Sequence, residues 1–253
     1  MRSHSLPRLS GLWLILLLLS SASQAETLRI AVASNFSDAV RPLARQFEAD
    51  SGHRVQLIFG STGKHFAQIV NGAPFDAFLA ADRRRPELLE QQGRAIAGSR
   101  FTYAIGQLVL WSPNPDGGDL QQQLKQGRFR HLAIANPKLA PYGRAAWQLL
   151  DKLNLQSSVR GKLVRGENIG QTFHFVSSGN AELGLVALSQ ITDPQQPLPG
   201  RHWLVNPSLY EPIVQQAVQL NRSPAIDAFM NFLRSDNVTQ LIRQHGYAIP
   251  EGR

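Results

Sequence analysis

Short apolar runs alternate with periodic amphipathic segments along the first third of the chain. The run at 28–33 is apolar except for Arg29, whereas residues 38–50 place Val40, Leu43 and Phe47 at helical spacing. A glycine follows each periodic segment, as it does at many helix ends. The pattern predicts strands and helices in strict alternation: strands Leu28–Ala33, Val55–Phe59 and Ala77–Ala80, and helices Asp38–Asp50, Lys64–Val70 and Glu87–Gln91.

The rest of the chain continues this alternation, with a proline-rich loop at 193–200. A repeated strand–helix–strand order predicts a parallel sheet with helices on both faces. Two α/β lobes fit the pattern better than one long sheet. The elements predicted after residue 100 are strands Ala104–Trp111, His131–Ala135, Leu163–Arg165, Leu183–Leu188 and Val214–Leu220, and helices Arg144–Leu153, a segment ending near Ser177, and Ala225–His245.

Two junctions between a strand and the next helix carry small polar residues. The first junction holds Ser34 and Asn35, and the second holds Ser61, Thr62 and Gly63. The first N–H groups of a helix have no partner within the helix, and the helix dipole is positive at that end. Such a junction is therefore suited to binding an anion. Two of them in one chain indicate a site that encloses a small oxyanion.

The second half of the chain contains two more junctions of this kind. Tyr142 stands directly before Gly143 and a predicted helix, and Asn168 precedes Ile169 with Gln171 three residues further on. The spacing of Asn168 and Gln171 is close to that of a capping box. Each junction alone is explained by ordinary helix capping. Together, two in each half favour a ligand held between two lobes.

The N-terminus has the pattern of a secretory signal peptide. Arg2 and Arg8 precede the apolar run Gly11–Leu19, and small residues surround Ala25. We expect residues 1–25 to be removed by cleavage after Ala25, which makes the mature protein periplasmic. The alternative is an uncleaved membrane anchor, but the apolar run is shorter than an ordinary membrane span.

Composition narrows the classes of function. The formal charge of +8 falls to +6 when Arg2 and Arg8 are removed with the signal peptide, and the chain has no cysteine. The absence of cysteine excludes thiol catalysis, cysteine-ligated zinc and iron–sulfur clusters. The basic run Arg83-Arg84-Arg85 has no interleaved aromatic residues, so we expect no nucleic-acid partner.

Signatures of catalysis are weak. No G-x-S-x-G motif occurs, and the segment at 60–64 has only two residues between its glycines, where a phosphate-binding Walker A loop has four. Asp76 and Asp82 are either paired acids of a secreted hydrolase or turn and cap residues, and we favour the second interpretation. We expect neither a metal site nor a cofactor, because these histidines lack metal-ligand spacing: His53, His65, His131, His174, His202 and His245.

Lys64 follows the second junction and has three possible roles. Its ammonium group could neutralise a bound anion, point into solvent, or pair with a charge across the cleft. Several neutral N–H and O–H donors can hold a divalent oxyanion without any full positive charge. A direct contact between Lys64 and the ligand is therefore not required.

The same segments resemble the substrate-binding proteins of molybdate ABC transporters, over essentially the whole mature chain. The most specific segment is the run from Gly72 to Asp82, and the two N-terminal junctions are the functional part. The segments that carry the resemblance are Ile30–Asn35, Phe59–Gly63, Gln68–Asp82, Ala135–Pro137, Glu167–Ile169, Leu183–Val186 and Tyr247–Ile249.

The resemblance implies a type II periplasmic-binding fold, which consists of two doubly wound α/β lobes with a ligand cleft between them. We expect one lobe at 26–101 plus 220–253 and the other at 102–219. It further implies that neutral donors hold one tetrahedral oxyanion and that the protein works as a monomer with a membrane permease. Carried over by position, the ligand-binding residues are Ser34, Asn35, Ser61, Tyr142 and the backbone of Ile169.

One position departs from the family pattern. Many members have a tyrosine directly after the strand that ends at Val186, and its hydroxyl donates to the anion, whereas this chain has Ala187. Tyr142 stands where other members often have a small residue. We expect Tyr142 to supply the missing phenol from a different helix start.

The expected function is capture of molybdate or tungstate, with no bond-making. Both anions are unprotonated at neutral pH and suit a site built only of donors, whereas phosphate carries a proton that needs an acceptor. Sulfate is also unprotonated, so only size separates it from molybdate. A carrier of sulfate or another tetrahedral oxyanion is therefore the first alternative, and a secreted hydrolase is a remote one.

Overall fold

A computed structural model describes residues 25–250. The predicted signal peptide, apart from Ala25, lies outside the described residues. Two mixed five-stranded sheets, each covered by helices, form two lobes. The strands are β1 Thr27–Ala33, β2 Arg54–Gly60, β3 Ala77–Ala80, β4 Phe101–Gly106, β5 Leu108–Ser112, β6 Leu132–Ala135, β7 Leu163–Gly166, β8 Leu183–Ala187, β9 Arg201–Leu204 and β10 Ile213–Gln219. The helices are α1 Ser37–Ser51, α2 Thr62–Val70, α3 Arg84–Gln91, α4 Leu120–Lys125, α5 Pro141–Lys152, α6 Gln156–Val159, α7 Ile169–Ser177, α8 Pro224–Leu233 and α9 Asp236–Gln244.

The first sheet has the strand order β2-β1-β3-β10-β4, and the second has the order β7-β6-β8-β5-β9. The predicted parallel pairing is present in both sheets, and each sheet also contains one antiparallel strand. In the first sheet, β10 runs antiparallel to both of its neighbours, and β5 does so in the second. Each of these two strands is the first one after the chain passes from one sheet to the other.

One predicted strand, Ala104–Trp111, is divided between the two sheets. Its first part belongs to β4 and its second part to β5, with only Gln107 between them. The Gln107 side chain donates a hydrogen bond to the carbonyl of Gly246 at 3.1 Å. An apolar run continues through this crossing because both halves are buried in a lobe core, so hydropathy alone does not reveal the break.

The C-terminal helix is also divided, since α8 ends at Leu233 and α9 begins at Asp236. The predicted lobe boundaries after residues 101 and 219 stay a prediction. Strands β4 and β10 both pair within the first sheet. We therefore propose that the lobes are joined at Gln107 and just before Ile213.

Candidate functional site

The helix starts singled out in the sequence meet at one cavity between the lobes. All five predicted ligand-binding residues contribute to its wall. Two of them come from the start of α1, one from the start of α2, one from α5 and one from α7. The complete lining is Ala33, Ser34, Asn35, Gly60, Ser61, Thr62, Ala81, Ala140, Pro141, Tyr142 and Ile169.

The cavity is small, enclosed and uncharged. Its volume, measured as the space open to the centre of a water molecule, is about 10 Å³, enough for about one water. No charged side chain among the described residues lines it. The polar side chains on its wall are almost completely buried, with Ser61 2% and Tyr142 1% exposed. Only a ligand of a few atoms fits between lobes in this arrangement.

Ser34 joins the two lobes across the cavity. Strand β1 ends in a turn of 3-10 helix, Ser34–Phe36, before α1 begins. The Ser34 hydroxyl donates to Asn168 Oδ1 at 3.1 Å and accepts from the backbone N–H of Gly170 at 3.1 Å. Asn168 Oδ1 also accepts from Gln171 N at 2.9 Å. The Ser34 proton can therefore turn to a ligand without leaving Asn168 Oδ1 unpartnered.

Ser61 caps helix α2 and keeps its own proton available. Its oxygen accepts from Lys64 N at 3.4 Å, and no acceptor for its hydroxyl proton lies within reach in the described part of the chain. The N–H of Thr62, the first residue of α2, likewise has no acceptor among residues 25–250. One hydroxyl and one backbone donor thus remain free at this helix start.

The predicted N-cap role of Asn168 at helix α7 is confirmed. The N–H groups of Gly170, Gln171 and Thr172 have partners in Ser34 Oγ, Asn168 Oδ1 and the Asn168 carbonyl. Among the described residues, the N–H of Ile169 is the one backbone donor of this first turn that has no acceptor. The positive end of the helix dipole lies at the same point.

Tyr142 follows Pro141, the first residue of α5, and its phenol lies at the cavity. Its oxygen accepts from Gln215 Nε2 at 3.2 Å, which leaves the phenol proton free to be donated. Burial raises the pKa of Tyr142 well above its ordinary value of 10.0, so the phenol stays protonated. A Cβ on Gly106 would stand 2.2 Å from this hydroxyl, so the glycine makes room for the ring.

Asn35 contributes differently from what its sequence position predicts. Its Nδ2 already donates to Gln215 Oε1 at 2.8 Å and to the Tyr247 hydroxyl at 3.0 Å. The Tyr247 hydroxyl in turn donates to the backbone carbonyl of Asn35 at 2.7 Å. The NH2 group of the Asn35 side chain is therefore committed to the protein, although the residue lines the cavity.

Gln215, Tyr103 and Tyr247 form a buried polar layer behind Asn35 and Tyr142 that sequence reasoning missed. None of the three follows a strand-to-helix junction. The available signal was Gln215 itself, an amide in an otherwise apolar strand, where a buried polar group requires partners.

Lys64, Asp76 and Asp82 do not line the cavity. Lys64 Nζ pairs with Glu167 Oε1 of the opposite lobe at 3.0 Å, and both side chains are about half exposed. Asp76 accepts from Arg29 N, and Asp82 pairs with Arg85 and caps the start of α3. The two acids therefore have the turn and cap roles that the sequence favoured.

Ala187 ends β8 and is buried, but it does not line the cavity. Its N–H donates to Gln190 Oε1 at 3.1 Å, and Gln190 Nε2 donates to the carbonyl of Ile169 at 3.0 Å. The segment that follows β8 thus supports the start of α7 through Gln190. Among residues 25–250, no cluster of three or more potential metal ligands occurs.

Two α/β lobes that meet over a small cavity of neutral donors define a two-lobed solute-binding protein. In the range 25–250, no helix has the length and apolar character needed to cross a membrane. The chain belongs to the bacterial extracellular solute-binding protein family, whose sequence profile matches residues 28–248. It is therefore a transport binding protein and not an enzyme, and the hydrolase alternative is wrong.

Two similar relatives are molybdate-binding proteins ModA. The protein from Azotobacter vinelandii is 49% identical over 236 residues, which cover 92% of this chain and 94% of the relative. The protein from Rhodobacter capsulatus is 40% identical over 220 residues, or 86% of each chain. The solved structure of the Azotobacter vinelandii periplasmic molybdate-binding protein has a TM-score of 0.84 at 42% identity, covering 88% of this chain and all of that one.

A more distant structural neighbour is the sulfate-binding protein SubI from Mycobacterium tuberculosis. It has a TM-score of 0.67 at 15% identity and covers 90% of this chain and 88% of its own. Likeness at this level shows a shared fold and does not extend to the ligand.

Proposed function

We propose that this protein captures molybdate or tungstate between its lobes. The observation that carries the proposal is the cavity wall, where buried neutral groups from four helix starts surround a space too small for an organic solute. Ser34, Ser61 and Tyr142 supply hydroxyl donors, and Ile169 supplies a backbone donor. Asn35 contributes as part of the wall, with its side-chain amide held by Gln215 and Tyr247. The similarity to two molybdate-binding relatives supports the same ligand.

The absence of charge on the wall favours an unprotonated dianion. Hydrogen phosphate is best held by a site with a strong acceptor such as a carboxylate, and no carboxylate among the described residues lies on this wall. Sulfate meets the same donors but has shorter bonds to oxygen than molybdate. Each hydrogen bond that a smaller anion cannot reach costs about 1 kcal/mol, so size provides the selectivity against sulfate.

The bound anion is delivered to the membrane permease of an ABC transporter. Solute-binding proteins of this family act outside the cytoplasm, and the protein acts there as a monomer after cleavage behind Ala25. The lobes open and close about the crossings at Gln107 and before Ile213. The positive net charge of the mature chain attracts anions over long range.

Isothermal titration calorimetry with the four anions tests this proposal. The mature protein, dialysed extensively to remove bound anions, is titrated with molybdate, tungstate, sulfate and phosphate in the same buffer. We expect one tight site for molybdate and tungstate, much weaker sulfate binding, and no heat with phosphate. Tight binding of sulfate without molybdate would overturn the assignment in favour of a sulfate carrier.

A further inference from the structure

The buried side chain of Gln215 connects the two halves of the cavity wall. It is 0% exposed and belongs to β10, which leads the chain back into the first lobe. Its Oε1 lies 2.8 Å from Asn35 Nδ2 and 3.0 Å from the Tyr103 hydroxyl, and its Nε2 lies 3.2 Å from the Tyr142 hydroxyl. One amide thus contacts the first lobe on one side and the second lobe on the other.

The hydrogen bonds on the Oε1 side determine which way the amide faces. Oε1 accepts from Asn35 Nδ2, which holds it on the side of the first lobe, whereas the single proton of the Tyr103 hydroxyl has two acceptors in reach, Oε1 at 3.0 Å and the Ala80 carbonyl at 3.2 Å. The NH2 end must then face Tyr142, and its N–H donates to the phenol oxygen. A phenol has a single proton. Because Gln215 can only be a donor in this orientation, the proton of Tyr142 is left for a group inside the cavity.

The Asn35 side chain supplies the donor that Gln215 Oε1 accepts. Its Nδ2 donates to Gln215 Oε1 and to the Tyr247 hydroxyl. Its own Oδ1 is the one buried side-chain polar atom of the described residues that has no hydrogen-bond partner. A buried acceptor without a partner costs about 1–3 kcal/mol, so Asn35 is the strained member of this network.

We propose that Gln215 is a positioning residue that directs the hydroxyl proton of Tyr142 into the cavity and so makes Tyr142 a donor to the oxyanion. This inference rests on the proposed function for its ligand, a tetrahedral dianion. Gln215 itself does not line the cavity. It acts through Tyr142, and Asn35 and Tyr103 hold it in place.

A double-mutant cycle tests the coupling between Gln215 and Tyr142. Molybdate affinity is measured for the wild type, Gln215→Met, Tyr142→Phe and the double variant. We expect Gln215→Met to weaken binding about 3- to 10-fold in the wild type and less than about twofold in the Tyr142→Phe background. An equal loss in both backgrounds, or no loss in the wild type, would overturn the proposal.

Gln216→Met is the matched control for this cycle. Gln216 is the next residue of the same strand and is 8% exposed, but it bonds to Arg100 and Thr102, away from the cavity. We expect this variant to have an altered melting temperature and an unchanged molybdate affinity. A loss of affinity as large as that of Gln215→Met would show a merely structural role and overturn the proposal.

A second measurement is made without ligand, on a variant that keeps Gln215. In the nitrogen-15 NMR spectrum, Tyr142→Phe should shift the side-chain amide signal of Gln215, whereas Tyr210→Phe should not. An unmoved signal would overturn the proposal. If the wild type binds none of the four anions, the proposed function fails, and a shifted signal then shows only the hydrogen bond between Gln215 and Tyr142.

Discussion

Tyr142 is the least expected of the residues that offer a donor to the cavity. From the sequence we expect Tyr142 to supply the phenol that Ala187 cannot provide. The structure places the Tyr142 phenol at the cavity, next to Gly106, where only a glycine leaves room for it. A tyrosine at position 142 therefore requires a glycine at position 106.

Removing the Tyr142 hydroxyl should weaken oxyanion binding. A hydrogen bond to a charged group contributes about 1.5–3 kcal/mol, so Tyr142→Phe should raise the Kd for molybdate about 10- to 100-fold. Tyr210→Phe is the control, because the Tyr210 hydroxyl bonds to Leu108 N and lies outside the cavity wall. Unchanged affinity in Tyr142→Phe, measured by calorimetry, would remove Tyr142 from the site.

His65 should make the stability of the protein depend on pH. Burial lowers its pKa below the ordinary value of 6.5, even though hydrogen bonds to Gln68 and Val32 act in the opposite direction. Below about pH 6.5 the unfolded chain takes up a proton that the folded protein resists, so the free energy of unfolding falls as the pH is lowered. The full contribution is present above the unfolded pKa.

Urea unfolding at several pH values checks this prediction. Between about pH 7.5 and pH 5, the wild type should lose more stability than His65→Gln, which keeps a hydrogen-bonding amide but does not titrate. Equal losses in the two proteins would show that His65 does not resist protonation in the fold.

At the scale of elements, the helix starts are the units that build the site. Those of α2, α5 and α7 were predictable within a few residues, because each combines a strand end with a small or capping residue. The crossing at Gln107 was not predictable from hydropathy, because the strands on both sides are equally apolar. Gln215 and Tyr247 were missed for a related reason, since their partners are remote in sequence and only the tertiary fold brings them together.

Gly63, in the first turn of α2, controls how closely the lobes approach. Its N–H donates to the carbonyl of Leu139 in the other lobe at 2.9 Å, and an added Cβ would lie 2.9 Å from the same oxygen. Gly63→Ala should therefore hinder closure and weaken molybdate binding about tenfold, the cost of one lost hydrogen bond. The helix itself should gain up to about 1 kcal/mol.

The control for this change is Gly161→Ala, since nothing lies within 4 Å of a Cβ at that position. We expect unchanged affinity for Gly161→Ala and, for ligand-free Gly63→Ala, a melting temperature equal to or above that of the wild type. Wild-type affinity in Gly63→Ala would show that closure tolerates a side chain there.

The ion pair between Lys64 and Glu167 spans the cleft at the surface. Exposed pairs contribute about 0–1 kcal/mol, so Lys64→Met should weaken molybdate binding by less than about fivefold. The effect should disappear at high salt because exposed charges are screened. A loss above about 100-fold would indicate direct contact with the anion, since hydrogen bonds to charged groups contribute about 1.5–3 kcal/mol.

At the scale of the whole molecule, binding of the anion and closure of the two lobes should stabilise each other. Ser34, Gly63 and Gln215 each bond to a group of the opposite lobe. These bonds surround the cavity, so an anion inside adds hydrogen bonds to both lobes at once. The stability of the closed arrangement should rise with the concentration of the anion.

The most direct test of anion capture in the cavity is a crystal structure of the mature protein with molybdate, with diffraction measured at the molybdenum absorption edge. We expect one anomalous peak in the cavity, within hydrogen-bonding distance of Ser34, Ser61, Tyr142 and Ile169. The groove that contains Arg83, Arg84 and Arg144, together with Asp82 and Glu211, is a competing location because it has one more positive than negative side chain. A peak in that groove, or no peak in the cavity, would contradict capture of molybdate between the lobes.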